Sequence, residues 1–121
     1  MVPSFALFLQ QKKQTGCTAA HCLAEFYSVV TGMPGKDRAS PDEALLFIDN
    51  VRERLTVVGL EPDEYAQMLK DAAISGVMGG GIYDALIGNC AMKARADAMY
   101  TWNLKHFTRL DPKFAARVKT P

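Results

Sequence analysis

The chain has 121 residues, a net charge of +1, 49% hydrophobic and 22% charged residues, which fits one soluble globular domain with a proper core. Its only N-terminal apolar stretch, Phe5 to Leu9, is too short to span a bilayer, and Lys12 and Lys13 follow it instead of preceding it, which excludes a membrane span and a signal peptide there. Three cysteines, Cys17, Cys22 and Cys90, are an odd number that reads as reduced, buried thiols in a cytoplasmic protein.

The near-neutral total hides an asymmetry. Residues 1 to 92 carry seven Lys/Arg against eleven Asp/Glu, a balance of −4, whereas residues 93 to 121 carry seven against two, a balance of +5. Such a division fits an enzyme that grips a polyanion on one side and holds a cation on the other; it also fits an uneven solvated surface.

In chain order, Pro3 and Ser4 precede a short helix over residues 4 to 14 that ends at Gly16. Cys17 to Ala20 is a short apolar strand. A helix from Cys22 to Val30 follows, with Leu23, Phe26, Tyr27 and Val30 on one face. Residues 32 to 40 form a loop rich in Gly, Pro and charge. Ser40 and Glu43 make a capping box with Pro41 at the first helical position, and the helix runs to Leu55, burying Ala44, Phe47, Ile48 and Val51. Thr56 to Leu60 is a brief buried strand. Pro62 opens a helix that turns Tyr65, Met68, Leu69 and Ala72 inward and fades near Gly76. Three glycines, 79 to 81, break the chain before a helix from Ile82 to Ala94, and Ala98 to Thr101 is the last strand. Met68, Met78, Met92 and Met99 read as core filler.

Alternating strands and helices predict an α/β fold with a parallel sheet covered on both faces. Only three strands are visible, which is thin for that architecture. Glu25 then falls in the first turn of the helix after the first strand, Asp84 in the first turn after the triple glycine, and Asn103 just beyond the last strand. These are positions at which an α/β sheet places its ligands, although a carboxylate in a first turn is also stabilised by the helix dipole alone. Two carboxylates and an amide suit Mg²⁺ or Mn²⁺, not zinc. The glycines lack the Lys-Ser/Thr of a phosphate loop, and Cys17, His21 and Cys22 lack a second ligand pair for zinc.

Three segments carry a resemblance. His21-Cys-Leu-Ala-Glu25-Phe-Tyr-Ser-Val, Gly81-Ile-Tyr-Asp84-Ala-Leu-Ile and Thr101-Trp-Asn103-Leu-Lys-His106-Phe107 resemble, in order and separation, those of the PIN-domain family, VapC-like toxin type. The likeness covers essentially the whole chain. It implies a three-layer fold with a parallel sheet ordered 3-2-1-4-5 and metal-dependent cleavage of RNA. It also implies an antitoxin partner and a homodimer. On that pattern Glu25 and Asp84 are the second and third acids and ligate Mg²⁺ or Mn²⁺, and Asn103 stands at the fourth position. Thr101 supports a carboxylate from behind, and Lys105, His106 and Arg109 meet RNA phosphates.

The departure from the pattern is at the start. No Asp or Glu precedes Glu25, so the family's first strand, with its terminal Asp, is expected to be absent from an N-terminally truncated fold. That strand would lie between residues 17–20 and 98–101. The gap would be closed by direct pairing, by another segment, or by a strand from a second chain. A catalytically silent remnant that binds an antitoxin or its own copy, and a Rossmann-like binder of small ligands, are the competing readings.

Overall fold

The computed structural model describes residues 6–10, 15–96, 98–101 and 118–119. Its elements are β1 (Ala6–Gln10), β2 (Thr15–Ala19), α1 (Ala20–Thr31), a single 3₁₀ turn (Gly35–Asp37), α2 (Pro41–Arg54), β3 (Thr56–Val58), α3 (Pro62–Ile74), α4 (Gly81–Lys93), β4 (Ala98–Thr101) and β5 (Val118–Lys119). The fold is α/β.

Two expectations fail at the N-terminus. Residues 6 to 10, expected within a helix, are a strand, and the sheet has five strands in the order β3-β2-β1-β4-β5. The family's first strand was expected to be absent, but β1 fills the slot between β2 and β4; of the three expected ways to close the gap, another segment of the same chain does so, and no second chain is needed to supply a strand there. β2 pairs parallel with β3, and β4 with β5, while β1 runs antiparallel to both its neighbours. Four strands therefore share one direction and the central one is reversed, so the sheet is mixed and not wholly parallel.

The reversal has a simple cause. Only four residues, 11 to 14, separate β1 from β2. A parallel neighbour needs a crossover of about a dozen residues or more, whereas an antiparallel one needs as few as two. Periodicity cannot tell a five-residue apolar run in a strand from one in a helix. Here the two facing edges decide. Phe8 is opposite Cys17 on one side and Met99 on the other, and Leu7 is opposite Thr18 and Tyr100.

The core gathers Cys17 and Ala19 of β2, Cys22 of α1, Met68 of α3, and a long run of α4, with Val58, Leu60 and Ile82 packed against it. Residues 84 to 88, 90 and 91 are all buried, so α4 is enclosed on most of its circumference and its small residues let neighbours approach closely. The amphipathic helices bury less than their pattern promised. Ala44, Met68 and Ala72 are inside, but Phe47, Tyr65 and Leu69 stay exposed, as do Met78 and Met92. Phe47 still stacks on Phe26 at 4.3 Å between centroids.

Helix ends are set by local chemistry. Glu43 N–H donates to Ser40 Oγ at 3.1 Å and Ser40 N–H to Glu43 Oε1 at 3.0 Å, the capping box expected there. α3 ends on Gly76 at φ 77, whose N–H bonds Ala73 O while the Val77 N–H bonds Ala72 O, a Schellman arrangement. α4 ends the same way with Arg95, not glycine, at φ 53: its N–H bonds Met92 O and the Ala96 N–H bonds Ala91 O. Lys93 Nζ ties α4 to Gly59 O at 2.8 Å and to Glu64 Oε1 at 2.6 Å on α3. Among the described residues no helix is long and apolar enough to cross a membrane.

Candidate functional site

α1 starts at Ala20, directly after β2, with Ala19 as its N-cap. His21 therefore occupies the first turn. Glu25, expected there, lies in the second, where the helix N-terminus helps a carboxylate less. Asp84 does fall in the first turn of α4, and it is 8% exposed.

The two helix starts meet through one aromatic contact. His21 and Tyr83 stack with ring centroids 5.0 Å apart and planes 3° from parallel. His21 Nε2 donates to Glu25 Oε1 at 2.9 Å, both side chains being about four-fifths covered. A chain of contacts thus runs from Glu25 on α1 through His21 to Tyr83, the residue before Asp84 on α4. Tyr83 itself is 51% exposed.

Sequence reasoning weighed His21 only as a zinc ligand and did not single out Tyr83. The first was legible: His21 and Glu25 are four apart, the spacing at which helical side chains meet. The second was not, because nothing local says that residue 83 faces residue 21.

Thr101 is placed by its backbone, opposite Ala6 across the β1–β4 pairing. The end of β4 and the end of β2 therefore flank the beginning of β1. A central strand running with its neighbours would bring its last residue to this edge; the reversed strand brings its first, alanine. Asn103, Lys105, His106 and Arg109 lie outside the described residues.

As a cation centre the described part is incomplete. Among the described residues no three or more His, Cys, Asp or Glu side chains gather so as to hold a metal. Glu25 already accepts from His21. Two carboxylates do match what Mg²⁺ takes from a protein when water and substrate phosphates supply the remaining oxygens.

No family model matches the chain, and neither the curated proteins nor the solved structures provide a match.

Proposed function

We propose that this chain is a PIN-like domain of the VapC-like toxin type that binds RNA and cleaves it slowly or not at all. One observation supports the reading above the others: the strand order β3-β2-β1-β4-β5, with four strands co-directional and the central one reversed, matches the order that the family resemblance implies, though not its wholly parallel sheet. Glu25 and Asp84, with Asn103, would hold Mg²⁺ or Mn²⁺. When bound, such an ion activates water and steadies charge on a phosphodiester. The chain's own groups would position: Glu25 is oriented by His21, and Asp84 is held in the first turn of a buried helix. Thr101 would support a carboxylate, and Lys105, His106 and Arg109 would meet phosphates.

Cleavage assays on single-stranded RNA with Mg²⁺ or Mn²⁺ test the catalytic half. The expected result is little or no product, because the central strand contributes no carboxylate and losing such a group costs orders of magnitude in rate. Robust cleavage abolished by Asp84→Ala would overturn the slow-enzyme reading.

A second reading, a silent domain that binds an antitoxin or its own copy, draws on a different observation. α2 presents Leu45, Leu46 and Phe47 at 52, 66 and 47% exposure, an exposed apolar run that costs solubility unless a partner covers it. Light scattering after size exclusion at micromolar concentration separates the cases. A dimer that Leu46→Glu converts to monomer supports association through this face, and a wild-type monomer removes the homodimer.

A further inference from the structure

The outer face of α2 mixes apolar and acidic groups. Asp42, Leu46, Asp49 and Glu53 follow one another at spacings of four, three and four, and all are exposed, so they form one stripe along the helix. Ala44, buried at 2%, marks the opposite side. Leu46 and its neighbour Leu45 each stand one turn from Asp42 and one turn from Asp49. Among the described residues none of the three carboxylates has an ion-pair partner. The helix dipole favours Asp42 in the first turn, but it disfavours Glu53 in the last, so the helix's own stability does not account for the stripe. Arg52 and Arg54 are exposed too, yet they lie about a quarter turn away from it, one on each side.

This combination selects its occupant. Leu45 and Leu46 require an apolar surface, and the acids around them require positive charge at its rim. The same acids repel phosphate, which excludes RNA and the anionic headgroups of a membrane from this face; a helix that lies on such a membrane carries Lys and Arg instead. A second copy docked here would set three acids against three, because a two-fold interface turns each patch onto itself. The four-three-four spacing is that at which one helix meets another along a shared seam. We propose that the outer face of α2 docks a basic amphipathic helix of a different protein, its apolar stripe on Leu45 and Leu46 and its Lys or Arg over Asp42, Asp49 and Glu53. The inference rests on the second reading, association through α2, and deepens it by naming the partner's chemistry and removing the homodimer from this face.

The test is fluorescence anisotropy with the intact chain and labelled peptides of about 18 residues, long enough to hold a helix. One carries Leu at helical spacing with Lys elsewhere, the second has the same composition out of register, and the third has Glu in place of Lys. Wild type is expected to bind the first and to discriminate against the other two. Leu46→Ser and Asp49→Lys should each weaken that binding about 5-fold or more, the loss that marks a contributing interface residue. Asp71→Lys, at an exposed acid on α3, should leave it unchanged. Far-UV circular dichroism checks that the variants fold, as expected for exposed side chains. Binding that Asp71→Lys weakens equally, that ignores Leu46, or that the scrambled peptide matches is general attraction to charge and overturns the inference. Preference for the Glu peptide, or Leu46-dependent binding to phosphatidylglycerol vesicles in place of the Lys peptide, overturns it as well. Light scattering after size exclusion separates the two levels. No peptide binding, with a dimer that Leu46→Glu dissociates, overturns the proposed partner and leaves association through α2 standing. No peptide binding and a monomer overturn both.

Discussion

Cys90 lies on the enclosed side of α4 with 1% of its surface exposed, and burial, then the neighbouring Cys22, pushes its thiol up to about 11 from 9.0. Burial raises the Cys17 thiol as well. A group whose folded value lies above its unfolded one contributes its stability in full below the unfolded value, and loses it as pH rises through the folded value. The window here is therefore alkaline, between 9.0 and about 11. The thermal unfolding temperature should fall as pH rises across it, and Cys90→Ala should flatten that slope. The same burial predicts thiol chemistry. Cys17, Cys22 and Cys90 are 2, 0 and 1% exposed, so a disulfide reagent at neutral pH should titrate none of them until the protein unfolds. Prompt reaction of Cys90 in the native protein would show that α4 opens. Ile87, fully buried at 0%, should cost about 2–5 kcal/mol as Ile87→Ala, read by urea unfolding.

At the scale of elements, the ends of helices carry energies that can be measured singly. Arg95 holds a left-handed conformation, φ 53, at the end of α4, a position where glycine avoids the Cβ penalty. Arg95→Gly should stabilise the domain by roughly 0.5–1 kcal/mol. Destabilisation instead would mean that the guanidinium makes contacts worth more than the strain. The Ser40 backbone and side-chain hydrogen bonds hold the Glu43 carboxyl below the usual range, and Glu64 is lowered by Lys93 and then by the Glu61 backbone. Depressed carboxylates stabilise above their unfolded value of 4.5 and lose that contribution as pH falls through the folded one. Lys93, raised by Glu64, stabilises below 10.5 and loses its share above. Stability from the α3–α4 tie should thus be flat at neutral pH and fall at both extremes, and Glu64→Gln should remove the acid limb.

These elements also show what the sequence could and could not disclose. The Ser40–Glu43 box, the α2, α3 and α4 boundaries and the strand at 98–101 were readable because their determinants are local. So was the His21–Glu25 pair, had its spacing been used. β1 was unreadable for the opposite reason, since Ala6–Gln10 becomes a strand only where two edges wait for it. Glu25 was misplaced by a turn because α1 begins at the last residue assigned to the strand. Tyr83 against His21 is a contact across 62 positions that no local pattern encodes.

For the molecule as a whole, β1 is the element on which both halves of the sheet depend. β2 and β3 lie on one side of it, β4 and β5 on the other. A proline at its centre, Phe8→Pro, would remove an N–H from a strand paired on both edges, where proline is not tolerated. Loss of the cooperative unfolding transition is the expected outcome. Folding that survives unchanged would mean β1 is not integral to the sheet.

The same central position sets an order of events in time. The β1–β2 pairing closes across a few residues, whereas Ala6 meets Thr101 only after some 95 intervene. Short loops close first and at little entropic cost, so the hairpin forms early and the second edge late. During synthesis, at about 5–20 residues per second, that edge waits on the order of ten seconds for its partner. Throughout that interval Ala-Leu-Phe-Leu offers an unpaired apolar edge to any passing strand. The nascent chain is therefore most exposed to aggregation and to chaperones just before residues 98–101 emerge, and stalling translation there should enrich both.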